Sequence, residues 1–246
     1  MLLAAALVPD TALLVPGAGG RADAGSGLRD AALAVVGAAV GACHRAGGTV
    51  VVVAPGRRTR EATGTVTGSL RAAGVPDDLL GSPVPAFEAL DGRSTQGAVG
   101  VPAAVALHLL ARTGWTGSLR VVEVGPDDAA DDLAACGAAL VADRPTVLVV
   151  VGSGSGRHGP DAPLADDPAA PAYDRDVLAA LGSGTPDALD RLRSLDAAQA
   201  RALAVTGRAP WQVLVGAVGT RAVTAHAGAA EVVAGAQHAA LLWETA

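Results

Sequence analysis

Lysine, asparagine and isoleucine are absent from the 246 residues, and phenylalanine, tyrosine and methionine occur once each, at Phe87, Tyr173 and Met1. Apart from methionine these types draw on AT-rich codons. A high-GC source genome therefore accounts for their scarcity and for much of the Ala, Val and Arg that replaces them. All 18 basic residues are arginine. An aromatic fraction of 2% leaves no stacking platform for nucleic-acid bases, and a net charge of −6 gives no basic footprint for a phosphate backbone. No nucleic-acid partner is expected. Two cysteines, Cys43 and Cys136, cannot build a disulfide framework, which points to a reduced, cytoplasmic setting. No uncharged apolar run reaches the roughly 18 residues of a membrane helix. The opening Met1–Val8 lacks a basic flank and stops at Pro9-Asp10, so it reads as a buried strand rather than a signal peptide, and no membrane partner is expected.

What is present is hydrophobic: half of the residues are apolar and 17% charged, which excludes a disordered chain. A chain this long buries roughly 70–75% of its unfolded surface. Thr49–Ala54 and Thr146–Val151 are continuous β-branched runs, the pattern of strands buried on both faces of a parallel sheet. Leu2–Val8 and Leu119–Val124 fit as further strands. Between them the pattern predicts helices over Leu28–Arg45, apolar on nearly all sides and so buried, over Val101–Arg112 with Pro102 in its first turn, and over Asp127–Ala142 with an acidic start. Gly152–Tyr173 is rich in Gly, Pro and Asp and reads as a long loop. Short helices are predicted over Asp174–Leu181, Pro186–Leu195, Ala197–Val205 and Pro210–Val218, with Thr185 as an N-cap before Pro186. Two strands, Ala229–Val233 and Ala239–Trp243, close the chain. No repeat or linker divides it. The expectation is one α/β domain over 1–246, a mostly parallel central sheet flanked by helices.

Gly154-Ser-Gly156-Arg-His-Gly159 matches the spacing of a dinucleotide fingerprint, but Pro160-Asp-Ala-Pro163 follows where a helix should open, so the phosphate-binding context is missing. The loop leaves the carboxyl end of a strand, where open α/β sheets place ligands. It carries Ser153, Ser155, Arg157 and His158, and His158 is the candidate for proton transfer. The alternative is a solvated surface loop. Arg57, Arg58 and Arg60 lie beyond the other strong strand, Thr49–Ala54, and suit bidentate contacts to a carboxylate or phosphate, or else form an exposed basic turn. Trp211 and Gln212 follow Pro210 and either pack inward or line a pocket. His44 and His108 match no paired-ligand spacing. His226 and His238 flank Glu231, so Asp10, Glu231 and one of these histidines could hold Fe(II), against a simpler surface or capping role for each.

Three segments carry a resemblance. Val8-Pro-Asp10-Thr-Ala-Leu-Leu-Val-Pro16 resembles the opening of the class III extradiol ring-cleavage dioxygenase superfamily, the LigB-like group that also contains Memo-like proteins. Val149–Gly159 with Asp161-Ala-Pro163 and Tyr173-Asp174 is similar to the catalytic-histidine loop of its small actinobacterial branch, and Gly207–Gly216 to that branch's most distinctive segment. The resemblance implies a LigB-like fold, Fe(II) held by two histidines and a glutamate, and a further catalytic histidine, for which His158 is the match. Here Asp10-Thr11 stands where the first ligand's His-Pro motif belongs, and Pro55-Gly56-Arg57-Arg58 contains no histidine for the second. Glu231 matches the acidic ligand. Arginine stays protonated and repels a cation. The resemblance therefore implies a degenerate metal site, with no cofactor expected. Its cleft, lined by Asp10, Arg57, Arg58, His158 and Glu231, would bind a small anionic or aromatic ligand or a partner, or run a metal-free reaction. Two alternatives stay open: an active Fe(II) dioxygenase cleaving catechol-type rings, and a structural subunit of a complex. A homo-oligomer is compatible with each.

Overall fold

The β-branched runs are strands because both of their faces are covered. In the computed structural model, which describes residues 1–20, 25–90, 96–162 and 164–245, β1 (Leu2–Val8), β2 (Thr49–Pro55), β7 (Leu119–Val124) and β8 (Thr146–Val151) form the middle of a seven-stranded sheet. Alternate residues point to opposite faces. Val50 and Val52 of β2 and Val147 and Val149 of β8 enter one core, beneath α1 (Ser26–Ala46) and α2 (Val101–Arg112). Val51, Val53, Leu148 and Val150 enter the other, which is covered by α3 (Ala130–Leu140), α4 (Ala170–Ser183), α5 (Pro186–Arg193) and α7 (Arg208–Val218). The short α6 (Ala197–Ala202) lies between α5 and α7.

The sheet is mixed, not mostly parallel. Its order is β3-β7-β2-β8-β1-β10-β9, with β3 (Arg60–Glu61), β9 (Val223–Val233) and β10 (Ala236–Thr245) at the flanks. The pairings β7·β2, β2·β8 and β8·β1 are parallel. β3 runs antiparallel to β7, β10 to β1, and β9 to β10. The cause is the connection. Parallel neighbours need a crossover of a dozen or more residues, whereas Ala234 and Gly235, at φ 49° and 72°, turn β9 directly back into β10.

The helices depart from the sequence reading at their ends. α1 is not buried all round: Leu28, Ala32, Val35, Val36, Ala39, Val40 and Cys43 face the sheet, while Ala34 and Ala38 are exposed. Alanine tolerates either side, so its apolar composition overstated the burial. α1 is also, among the described residues, the one helix long and apolar enough to cross a membrane, although its buried stripe is spent on the sheet. α3 starts after Asp127 and Asp128, because the Asp128 carboxylate accepts the Thr59 hydroxyl and the Gly125 N–H, and Asp127 pairs with Arg201. α4 begins at Ala170, one turn earlier than expected, so Asp174 lies inside the helix rather than at its start. Thr185 caps α5 as predicted, accepting the Ala188 N–H.

Between β2 and α2 the chain forms a second small sheet that no periodicity announced. β4 (Thr65–Thr67) pairs antiparallel with β5 (Ala86–Glu88) and parallel with β6 (Gln96–Gly97). It is tied to α2 by His108, whose buried ring Nε2 lies 2.7 Å from the Gly68 carbonyl. This segment carries Ala98, Val99 and Gly100 to one wall of the site.

Candidate functional site

The parallel strands β1, β2, β7 and β8 all deliver their carboxyl ends to one edge of the sheet, and the antiparallel β10 starts there. The first residues beyond these ends therefore cluster: Asp10 after β1, Arg57 and Arg58 after β2, Pro126 after β7 and Ser153 after β8. A cleft of about 810 Å³ opens at this edge. Asp10, Arg57, Arg58, Arg60, Glu123, Arg201 and Arg208 supply its charges, and Val99, Pro102, Pro126, Val205 and Ala209 supply apolar wall. That volume lies within the range of small-molecule sites.

Most of the charges are committed to the protein. Arg60 pairs with buried Glu123 and donates to the Ala98 carbonyl at 2.8 Å. Glu123 also accepts the Gly100 N–H at 2.5 Å. Arg201 pairs with Asp127. Arg208 is buried and donates to the carbonyls of Leu195, Pro126 and Asp128 at 3.0–3.2 Å, tying α7 to the loop after β7. Arg57 and Arg58 are exposed and make no ion pair or side-chain hydrogen bond among the described residues.

Asp10 is held from below. The Ser153 hydroxyl donates to Asp10 Oδ1 at 2.5 Å and lies 2.8 Å from His238 Nδ1. A single hydroxyl proton cannot serve both, so with Ser153 donating to the carboxylate, His238 Nδ1–H donates to the Ser153 oxygen. The Ser153 N–H donates to the Thr206 hydroxyl at 2.8 Å, which fixes the loop. Ser153 and His238 are buried and Asp10 is half-buried. Burial pushes the His238 imidazole below its ordinary value, against the opposing pull of Asp10 and Glu231. Burial likewise lowers His108, against its bond to Gly68.

Both histidines thus favour the neutral form in the folded state. Each contributes stability that is fully present above the ordinary histidine value of about 6.5 and lost as the pH falls through the lowered folded value. Thermal unfolding followed between pH 7.5 and 5 should show this decline. His108→Gln, which keeps a donor for the Gly68 carbonyl, should flatten it by up to about 1.4 kcal/mol per pH unit. Asp174, whose carboxyl burial raises, works in the opposite sense and is common to both proteins.

His158 belongs to a neighbouring arrangement rather than to the cleft lining. Its Nε2 lies 2.6 Å from Asp174 Oδ2, and its backbone N–H donates to the Gly235 carbonyl in the β9–β10 turn at 2.9 Å. Asp174 also accepts the Ser155 N–H at 3.0 and 3.1 Å. Gly154 allows this approach, since a Cβ there would stand 2.5 Å from Asp174 Oδ1. The Ser155 hydroxyl donates to the Leu203 carbonyl at 2.7 Å and is fully buried. The loop 152–159 is thus locked to α4, to the end of α6 and to the terminal hairpin, not free in solvent.

The other candidates stand outside the cleft. Trp211 is buried against Gly207, where a Cβ would lie 2.1 Å from the indole. The Gln212 side-chain amide donates to the carbonyls of Leu192, Arg193 and Leu195 at 2.9–3.4 Å, which makes it a brace between α7 and α5. Glu231 is exposed on β9 in register with His238. His226 pairs with Glu244 at 3.0 Å, and His44 stacks on Trp115 with ring centroids 5.1 Å apart. Among the described residues, no three His, Cys, Asp or Glu side chains gather as a cation-binding group. Pro163 of the resembled loop lies outside the described residues. Sequence reading missed Asp174 as the partner of His158, and Thr206 as a support. Sixteen residues separate His158 from Asp174, and no local pattern links them.

Fold and site together define an α/β protein with a mixed seven-stranded sheet and a charged cleft at the carboxyl ends of its parallel strands. No family model matches the chain. No curated protein matches it. Among solved structures it is similar to an uncharacterized protein of Escherichia coli K12, at 14% identity and a TM-score of 0.43, over 80% of this chain and 85% of that one.

Proposed function

We propose that the protein binds an anionic small molecule in this cleft, and that it is a LigB-like protein whose Fe(II) site has degenerated. The observation that carries the binding reading is the pair of exposed guanidinium groups, Arg57 and Arg58, which have no ion-pair partner among the described residues and line a partly apolar cavity of about 810 Å³. Guanidinium forks match carboxylate and phosphate oxygens, and the apolar wall suits the body of a small ligand. What supports the loss of iron is the donor set. Asp10 Oδ1 and His238 Nδ1 are both turned onto the Ser153 hydroxyl, Glu231 is exposed, and two cations, Arg57 and Arg58, line the same cavity as Asp10. These residues do not fit a two-histidine, one-carboxylate seat.

Calorimetric titration with 4-methylpentanoate, benzoate and inorganic phosphate tests the binding reading. At least one should bind, and Arg57→Ala/Arg58→Ala should weaken it about tenfold or more, the loss of roughly 1.4 kcal/mol or more of charged hydrogen bonding. Binding that is indifferent to the double substitution overturns the site. Stoichiometric Fe(II) after anaerobic loading, together with cleavage of catechol, overturns the degenerate-site reading in favour of an active dioxygenase.

A further inference from the structure

We propose that the ligand of this cleft is a zwitterion: an amino-carboxylate with an apolar body, its carboxylate on Arg57 and Arg58 and its ammonium group on Asp10. This rests on the anion-binding reading above and narrows it to one chemical class.

The charge inventory of the cleft is the starting point. Arg60 and Glu123 neutralise each other, Arg201 is paired with Asp127, and Arg208 is consumed by three carbonyls. Once these are set aside, the lining retains two cations and one anion without an ion-pair partner among the described residues: Arg57, Arg58 and Asp10. A ligand carrying only negative charge would answer the arginines and bring like charge toward Asp10. A ligand with both signs answers all three, and specificity commonly arises from such a penalty against the wrong partner.

Asp10 is built to receive a cation rather than to drift toward one. Its Oδ1 is fixed by the Ser153 hydroxyl at 2.5 Å, and Ser153 is held in turn by His238 at 2.8 Å and by Thr206 at 2.8 Å. Ser153 and His238 are buried, and they hold this carboxylate from below. Its orientation is preset before a ligand arrives, which removes the ordering cost from binding. Its Oδ2 makes no hydrogen bond or ion pair among the described residues. The wall of Val99, Pro102, Val205 and Ala209 fits an aliphatic or aromatic body. A cavity of about 810 Å³ is larger than one amino acid needs and accommodates a dipeptide.

The test uses chemically matched pairs on the intact protein. L-leucine, L-phenylalanine and L-leucyl-L-leucine are titrated calorimetrically beside their N-acetyl forms, which keep the carboxylate and body and replace the ammonium group with a neutral amide; the Asp10→Asn comparison separates the lost charge from the added acetyl bulk. At least one zwitterion should bind about tenfold or more tightly than its acetylated partner, the worth of one charge-assisted contact. In Asp10→Asn, which keeps an acceptor for Ser153, the two forms should bind alike, at the affinity of the acetylated form in the wild type. Arg57→Ala/Arg58→Ala should weaken both. If acetylated and free forms bind equally to the wild-type protein, the zwitterion proposal fails while the anion site stands. If none of the carboxylates binds, both readings fail. A matching thermal midpoint for Asp10→Asn shows that a loss of preference is not a loss of fold.

Discussion

Gly216→Leu is expected to abolish the folded state, and Gly216→Ala to lower its stability by about 2–4 kcal/mol, the upper range of overpacking. The cause is a reciprocal contact between α3 and α7. A Cβ on Gly216 would stand 2.1 Å from the Ala134 carbonyl oxygen and 2.5 Å from Ala134 Cα, and a Cβ on Gly137 would stand 1.9 Å from the Val213 carbonyl oxygen. Each glycine faces backbone of the other helix, so no rotamer change relieves the clash and the helices must separate. Separation opens the core that Leu133, Val213 and Leu214 fill. Helix propensity works the other way, since alanine is favoured over glycine by about 1 kcal/mol in a helix interior. Gly182 in α4 isolates that term because a Cβ there meets nothing within 4 Å. Gly182→Ala should therefore stabilise by up to about 1 kcal/mol. Denaturant midpoints of the two alanine variants should move in opposite directions. A Gly216→Ala protein as stable as wild type would overturn the packing account.

Asp174→Ala should cost about 3–5 kcal/mol, the range for removing one partner of a buried pair, and lower the thermal midpoint by about 6–20 °C. Asp174 is 2% exposed; its two carboxylate oxygens share the single Ser155 N–H, and Oδ2 also meets the His158 ring. Without it, the Ser155 N–H is left buried and unpaired, and His158 loses the carboxylate that orients it. Burial raises the Asp174 carboxyl above its ordinary value, while the His158 and Ser155 bonds hold it down. Asp174→Asn retains one acceptor for the Ser155 N–H and should cost distinctly less. Equal losses in the two variants would mean that bulk, not hydrogen bonding, is what Asp174 supplies. The loop 152–159 should become a preferred site of proteolysis in Asp174→Ala, since that carboxylate is its main side-chain anchor to α4.

The local features were legible from residues alone because they are decided within a few positions. β1, β7, β8 and α2 have the bounds predicted for them, since short apolar runs ended by Gly or Pro, and a proline in a helical first turn, need no distant partner. The cap at Thr185 is equally local. The small sheet around β4 was not legible: its strands have two or three residues each, too few for any period to show. The direction of β10 followed from a two-residue turn whose backbone, with Ala234 at positive φ, lacks the usual Asn-Gly or Asp-Gly signal.

For the candidate site, residue types identified Asp10, Arg57, Arg58, Ser153 and His158 as lying beyond strand ends, and the first four do meet at or beneath the cleft. What tertiary structure alone decided is which charges remain available. Ser153 meets Asp10 across 143 residues of chain and His238 across 85. His158 is drawn to Asp174, Arg60 to Glu123 and Gln212 to three carbonyls. Propensity and periodicity act along the chain over a turn or a strand. Whether a charged side chain is satisfied depends on what the fold places within about 3 Å of it, and sequence order carries no measure of that distance.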